Sequence, residues 1–446
     1  MAWRNYWWIG LHAILGLAAV YVPVLAKLYA WSLILGVFVL VIVARDWKTL
    51  VFAAAYVTGA EVFTRMSHGL FFYESHKYLA MLLFAGIIAR TGLRLRSIPY
   101  LIYILLIVPG VLYTWWSEAQ DPSYIHIHLR KDILFNIAGP FALGLGALAL
   151  AGLRMHLADY RKLLLAMLLP IVTTTFYIII KTPDLRDIVF RTTANFATSG
   201  GFGPNQVATV LGLGIFASFV LFLLSENLLE KSIYLFLLVL ITYRAFLTFS
   251  RGGTITGIAM VVIFLAVGWW SDYRFFRSKN IRGLFVSAVV LGVAYYLALQ
   301  ITGGMLYNRF AGLNTRGEKK ADVTSGRLEL FLIEIKDFIE HPLFGAGVGR
   351  AKVQRTQEFG VQMASHNEVS RLLAEHGMFG LFALFLLFFV PLMQGAVRRN
   401  NLFFYPFFAF WLLTIFHSAM RLVAPAVLYA FSLLILQYDE NCLHRE

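Results

Sequence analysis

The length, composition and charge of the chain already indicate its class. Its 446 residues are 59% hydrophobic and 14% charged, whereas soluble domains carry about 25% charged residues. A water-facing surface cannot be built from 38 Lys and Arg and 24 Asp and Glu over this length, which excludes a soluble enzyme, a disordered tail and a disulfide-rich secreted scaffold. The net charge of +14 does not indicate nucleic-acid binding, because the basic residues stand in short clusters between apolar runs, as topology signals do.

The N-terminal apolar run is interpreted as a retained first span rather than a signal peptide. It carries several tryptophans, and a second apolar run follows almost at once, as in a helical hairpin. The single cysteine, Cys442, excludes an intramolecular disulfide.

Long apolar runs recur along the whole chain. They predict an all-α polytopic integral membrane protein with about 12–14 transmembrane helices, because a span takes roughly 17–25 apolar residues. The short runs 49–63 and 78–89 are the weakest candidates. The candidate spans are 7–26, 29–43, 49–63, 78–89, 98–116, 133–153, 163–180, 205–224, 232–248, 253–271, 283–302, 376–394, 402–417 and 422–438.

The Lys and Arg residues of the short loops predict the orientation. When alternate loops are assigned to one side, the side that holds both termini collects more of them, so both termini are expected in the cytoplasm. The chain is then divided into N-terminal transmembrane helices (1–180), central transmembrane helices with candidate-site loops (181–302), a large outer loop (303–371) and C-terminal transmembrane helices (372–446).

The large outer loop is polar but does not have the composition of a disordered segment. Residues 327–340 place apolar side chains at helical spacing and are followed by His341-Pro342. We expect an amphipathic helix over the outer mouth of the bundle. A helix that lies on the lipid headgroups would show the same pattern.

Two arginines of the outer side are candidate site residues. Arg251 stands in Phe249-Ser-Arg-Gly-Gly-Thr254 between two apolar runs, where an ionisable residue is costly, and the glycines permit close approach of a ligand. Arg327 opens the outer-loop helix, and Ser325 or Gly326 would be its N-cap, so backbone N–H groups would point to the same place as the guanidinium. Both features favour an anion. A snorkelling anchor and a solvated arginine at a helix start are the alternatives.

His366 is the candidate general base. Ser365 and Glu368 have the spacing of a capping box, which would put His366 at the first helical position, where the helix dipole disfavours imidazolium. A neutral imidazole at the outer boundary is able to accept a proton. Asn367 is predicted to contact substrate. The alternative for His366 is a hydrogen-bonded histidine at the membrane interface.

The segment from Arg191 to Gln206 is rich in glycine and small polar residues and leads directly into a span. Arg191, Asn205 and Gln206 would present polar groups to sugar hydroxyls or phosphate oxygens at the lip of a cavity. A plain polar connector is the alternative. The outer loops contain neither a P-loop lysine nor the paired ligands of a metal site, so no cofactor and no metal is expected.

Four motifs in a fixed order resemble the O-antigen ligase and O-antigen polymerase superfamily. They are Ser-Arg-Gly-Gly at 250–253, Ser-Gly-Arg at 325–327, His-Pro-Leu-Phe-Gly-Ala-Gly-Val-Gly at 341–349, and Ser-His-Asn at 365–367 before a span with Gly-x-x-Gly-Leu. The resemblance covers roughly residues 190–395, and the first third of the chain contributes hydropathy alone. The predicted spans outnumber the twelve that the resemblance implies.

The resemblance implies a membrane-embedded glycosyltransferase of the GT-C type with Arg251, Arg327 and His366 as functional residues. Its donor would be a glycan on undecaprenyl diphosphate and its acceptor the lipid A core of lipopolysaccharide. The reaction would be metal-independent and inverting, at the periplasmic face of the bacterial inner membrane. The chemistry is consistent, because guanidinium groups can neutralise a diphosphate leaving group where no divalent ion does so.

Several other functions fit the same sequence. A polymerase or an O-oligosaccharyltransferase of the superfamily would share the donor chemistry and differ in acceptor. A transporter for polyprenyl-linked sugars would share the hydropathy, but it would more often show inverted repeats, and none is seen. A structural scaffold gives no reason for ionisable residues at the outer boundary.

Overall fold

The fold is described from a computed structural model, which covers residues 3–70, 72–120, 129–270, 274–320, 322, 324, 326–350, 365–396 and 401–437. Within these residues the regular structure is helical apart from one parallel pair of three-residue strands. The elements are α1 (Trp3–Tyr21), α2 (Pro23–Val43), α3 (Trp47–Met66), α4 (Ser75–Thr91), α5 (Ile98–Gln120), α6 (Leu129–Leu150), β1 (Arg154–His156), α7 (Leu157–Lys181), α8 (Pro204–Leu224), α9 (Leu228–Leu247), α10 (Arg251–Trp270), α11 (Arg274–Ile301), α12 (Met305–Phe310), α13 (Arg327–Glu340), α14 (Glu368–Ala396), α15 (Phe404–Ile415), α16 (Ala424–Ser432) and β2 (Ile435–Gln437).

The predicted class, an all-α polytopic membrane protein, is confirmed. Among the described residues, eight helices are long and apolar enough to cross a membrane: α2, α5, α6, α7, α8, α10, α11 and α14. The predicted spans in α3, α4, α9 and α16 are also helical but do not meet both criteria, and α1 and α15 are apolar but short. The total of 12–14 spans therefore stays a prediction.

The two ends of the helix bundle are named after residues that lie there, Lys48 and Arg251. At the Lys48 end, α3 and α7 begin side by side, and Lys48 Nζ lies 2.6 Å from Asp159 Oδ2. Both helices finish at the Arg251 end, where α4, α8 and α10 begin. There Arg65, in the last turn of α3, donates to Gln206 in the first turn of α8. Arg251, which was predicted for the outer side, shares this end with Arg65 and Arg421.

The glycine-rich segment 341–349 packs into a break in α14. The break is at Gly377, whose φ of 57° and ψ of −134° interrupt the helix. The N–H of Ala346 donates to Ala374 (2.7 Å), and the N–H of Met378 donates to Pro342 (2.8 Å). A Cβ at Gly345, whose φ is +73°, would lie 2.5 Å from the carbonyl carbon of Glu375. The glycines thus have a packing function.

The outer-loop helix α13 is present where predicted, but its buried face is acidic. Glu334 and Asp337 are buried where α13 packs on α14, and Ser370 of α14 donates to Glu334 at 2.5 Å. Leu328 and Leu332 are instead 56% and 58% exposed. The acidic side chains are buried on this face because Ser370 of α14 supplies a polar partner.

Candidate active site

Arg251 follows a turn that is held by neighbouring elements. Phe249, two residues earlier, is fully buried with a φ of +57°, a conformation that costs a non-glycine residue about 1–3 kcal/mol. Ser250 Oγ donates to Asn205 Oδ1 on α8 at 2.8 Å. This hydrogen bond holds the backbone at the start of α10 against α8 and thereby fixes the position from which Arg251 extends.

The two glycines after Arg251 permit close packing of protein. A Cβ at Gly252 would overlap the imidazole of His417, and one at Gly253 would overlap the backbone of Ala208. Close packing of protein thus accounts for both glycines, and close approach of a ligand stays a prediction. Their lack of a side chain lets α8 and His417 approach the first turn of α10.

Further cations surround Arg251. The pKa of Arg327 is lowered by burial and by the charge of Arg251. Burial, Arg251 and Arg327 together lower the pKa of Arg309 to about 10. Burial, Arg309 and Arg251 lower the pKa of Lys320. Because like charges held together in a partly desolvated place raise the energy of the empty site, this cluster favours a bound anion.

Arg309 also supports the turn before Arg251. Its Nε donates to the carbonyl of Phe249 at 3.0 Å and its Nη1 to the carbonyl of Thr192 at 3.2 Å. Lys320 Nζ donates to the same Thr192 carbonyl at 2.5 Å. Arg191 directly precedes Thr192 in the chain, and it is exposed.

His366 lies two residues before α14 with its backbone held by the 416–423 segment. Its carbonyl accepts a hydrogen bond from Ala419 N–H at 3.1 Å. Burial, followed by the charges of Arg421 and Arg327, lowers the pKa of His366 to about 3. Among the described residues, its Nδ1 has no hydrogen-bond partner. The ring is therefore neutral, and its unprotonated nitrogen can accept a hydrogen bond from a hydroxyl.

The capping box predicted for this segment is wrong. Asn367, not Ser365, caps the helix, because its Oδ1 accepts from the N–H of Val369 at 2.9 Å. Ser365 Oγ accepts from Asn367 N–H at 3.2 Å, and Glu368 pairs with Arg371. The helix therefore begins later than predicted. The charge state of His366 follows from burial and nearby arginines rather than from a place in the first helical turn.

The predicted substrate-binding amides already have protein partners. Asn205 accepts from Ser250, Asn367 caps α14, and Gln206 Oε1 accepts from Arg65 Nη1 and from the Tyr73 hydroxyl, both at 3.2 Å. Asn205 and Gln206 lie at the Arg251 end, as expected. Their contact with substrate, like that of Arg191, stays a prediction.

Two residues that the sequence analysis did not propose belong to the same site. Arg421 Nη2 donates to the carbonyl of Ser365 at 3.2 Å. His417 Nδ1 contacts the carbonyl of Leu413 at 2.8 Å, and burial is the main cause that lowers its pKa to about 4. Arg421 is an ionisable residue between two apolar runs, so the criterion that selected Arg251 would have found it.

One family model matches part of the chain. The family model described as O-antigen ligase matches residues 236–385, a range that includes Arg251, Arg327 and His366. The matched region is similar to the family that the motifs resemble. Together with the apolar helices, the match supports a multi-pass membrane protein with an enzyme role. No curated protein matches the chain.

Proposed function

We propose that the protein is an O-antigen ligase of the GT-C type. It transfers a glycan from undecaprenyl diphosphate to the lipid A core of lipopolysaccharide, at the periplasmic face of the bacterial inner membrane. The observation that carries the proposal is the convergence of Arg251, Arg309 and Arg327 beside a neutral His366. The family match over the same residues supports it.

In the proposed reaction the cations act on the leaving group. An acceptor hydroxyl oxygen attacks the anomeric carbon and forms the new glycosidic bond, while the bond from that carbon to the diphosphate oxygen breaks with its electron pair. Arg251 and Arg327 stabilise the charge on the diphosphate, because a guanidinium fork can donate to two phosphate oxygens. His366 takes the hydroxyl proton. Attack from the side opposite the diphosphate inverts the anomeric configuration.

The proposed division of the chain follows from this reaction. The central helices and their loops (181–302) would carry the donor-site residues Arg191, Asn205, Gln206 and Arg251. The outer loop (303–371) would carry Arg327, His366 and Asn367. The N-terminal (1–180) and C-terminal (372–446) helices would form the surrounding membrane bundle.

Transfer in vitro tests the proposal directly. Purified protein is mixed with an undecaprenyl-diphosphate-linked glycan and lipid A core, with and without chelator, and products are separated by gel and mass spectrometry. We expect glycan on the core in both conditions. Transfer onto a second lipid-linked glycan and not onto the core would make the protein a polymerase. Loss of transfer in chelator, restored by magnesium, would contradict a metal-independent reaction.

The His366→Ala variant separates enzyme from transporter. An enzyme should keep donor binding and lose turnover, by about 10²–10⁴-fold for a general base. A transporter should keep most of its flux of lipid-linked glycan in vesicles, and that result would contradict the proposal.

A further inference from the structure

A cluster of buried charges lies outside the family match, where α3 leads into α4. The cluster, called the Arg65 cluster, consists of Glu61, Arg65, Glu74 and Lys77. Arg65 Nη2 is 2.7 Å from Glu61 Oε1 and 3.6 Å from Glu74 Oε1, and Lys77 Nζ is 2.5 Å from Glu74 Oε2. All four side chains are at most 7% exposed. Burial of ions is costly, so such a cluster inside a membrane protein indicates a function.

The Arg65 cluster holds an irregular segment at the Arg251 end. Residues 416–423, between α15 and α16, are not regular helix, and Ala419 has a φ of +48°. Arg65 Nη1 donates to the carbonyl of Arg421 at 3.0 Å, and Glu61 Oε2 accepts from the N–H of Val423 at 2.7 Å. Non-helical backbone among membrane helices needs such partners, because water does not reach it.

The same segment holds the Ser365-His366 backbone at two points. Ala419 N–H donates to the His366 carbonyl at 3.1 Å, and Arg421 Nη2 donates to the carbonyl of Ser365 at 3.2 Å. An unbroken series of contacts therefore runs from α3 through residues 416–423 to the proposed base.

We propose that the Arg65 cluster positions His366, with Arg65 and Glu61 fixing the 416–423 segment and Arg421 passing that constraint to the Ser365-His366 backbone. Arg65 is a positioning residue in this scheme, since its hydrogen bonds among the described residues go to protein groups. The kinetic part of the inference rests on the proposed function. The placement of the His366 ring does not.

The test compares variants at the two ends of one helix. Arg65→Gln removes the charge and the fork at the Arg251 end of α3. Arg65→Lys keeps the charge but not the fork. Lys48→Gln breaks the ion pair with Asp159 at the other end of the same helix and is the matched control. Each full-length protein is purified in detergent, and its folding is checked by size exclusion and thermal unfolding.

Two readouts are measured on each variant. One is glycan transfer, resolved into kcat and the KM for the donor. The other is the rate at which diethyl pyrocarbonate modifies His366, followed by peptide mass spectrometry, which reports the exposure of the ring without any substrate. A role confined to stability would change the thermal midpoint and leave both readouts at wild-type values.

We expect Arg65→Gln to lower kcat about 100-fold, the cost of a base misplaced by about 1 Å, and His366 to be modified faster. The donor KM should change less, through Gln206, which loses its bond from Arg65. Arg65→Lys should recover part of kcat, and Lys48→Gln should match wild type in both readouts. Wild-type kcat and modification rate in Arg65→Gln would overturn the inference, and so would equal losses in Lys48→Gln.

A milder variant keeps the test decisive. If Arg65→Gln is not recovered folded, Glu61→Gln retains an acceptor for Val423 N–H but loses the ion pair, so both readouts should change in the same direction by less. Wild-type behaviour of Glu61→Gln would then overturn the inference. If wild-type protein transfers no glycan, the proposed function fails, and the modification rate of His366 alone decides the positioning role.

Discussion

Single side chains at the Arg251 end divide into cations and neutral imidazoles. Arg327 and Arg309 have lowered pKa values because they are partly buried next to other cations. His366 and His417 stay neutral because burial and the same cations disfavour a further positive charge. The combination suits a reaction in which negative charge develops on one group while a hydroxyl elsewhere loses its proton.

Loss of Arg327 tests the anion site. We expect Arg327→Ala to lower kcat/KM for the donor about 10- to 100-fold, because a hydrogen bond to a charged group contributes about 1.5–3 kcal/mol. Arg251→Ala should behave in the same way. Arg316→Ala, at an exposed arginine of the same loop, is the control and should keep wild-type kinetics. Unchanged kinetics in both site variants would remove the diphosphate from the proposal.

The pH profile tests the charge state of His366. With its pKa lowered to about 3 by burial, Arg421 and Arg327, His366 is already unprotonated at pH 5. Transfer should therefore show no loss with a midpoint near 6.5, the ordinary histidine pKa, when the pH falls from 8 to 5. If a midpoint near 6.5 is observed and disappears in His417→Gln, the titrating group is His417. If the midpoint persists in that variant, His366 is not held neutral.

The same shift has a consequence for stability. The unfolded chain binds a proton on His366 below about pH 6.5, whereas the folded protein does so near pH 3. The contribution of His366 to the free energy of unfolding is thus fully present above its pKa in the unfolded chain. It is lost as the pH falls towards its pKa in the folded protein. Thermal unfolding between pH 7 and 4 should show a decreasing midpoint, and the decrease should be smaller in His366→Gln.

At the scale of elements, the turn before α10 depends on α12. Arg309 bonds the carbonyls of both Phe249 and Thr192, which no other residue type does with one rigid fork. Arg309→Gln should lower kcat/KM about 10- to 100-fold through a displaced Arg251. If holding the turn matters, Arg309→Lys should restore little. Full recovery with lysine would show that charge alone is required.

Packing of segment 341–349 into the break of α14 gives a stability prediction. Gly345→Ala would combine an unfavourable left-handed φ with a clash against Glu375. Gly317→Ala is the matched control. The φ of Gly317 is +83°, so alanine there carries the same penalty of about 1–2 kcal/mol, but its Cβ would contact no other part of the protein within 4 Å. We expect the thermal midpoint to fall clearly more for Gly345→Ala. Equal decreases would exclude the clash as a cause.

At the scale of the whole molecule, the proposed orientation can be tested by labelling. Glu329 is exposed on α13, and Lys162 is 66% exposed near the Lys48 end. In a Cys442→Ser background, Glu329→Cys should react with a membrane-impermeant maleimide in cells with a permeabilised outer membrane. Lys162→Cys should react only after lysis. The reverse pattern would place the proposed active site in the cytoplasm.

The parts of this protein that sequence reasoning predicted well are those set by local pattern. Apolar run length located the membrane helices, and helical spacing before His341-Pro342 located α13. The start of α14 was misplaced because Ser365 and Asn367 are both suitable caps, and tertiary contacts choose between them. The acidic face of α13 was also unpredictable, since its partner Ser370 lies on another element.

What the amino-acid sequence determined by itself is the membrane class, the positions of most helices and the motif residues Arg251, Arg327 and His366. Burial of apolar runs and helix periodicity are local properties, so they can be read without coordinates. Only the tertiary structure decided which polar groups meet: Arg65 and Arg421 contact each other although they are 356 residues apart. Their pairing arises because packed helix ends leave particular carbonyl and amide groups away from water, and distant side chains must satisfy them.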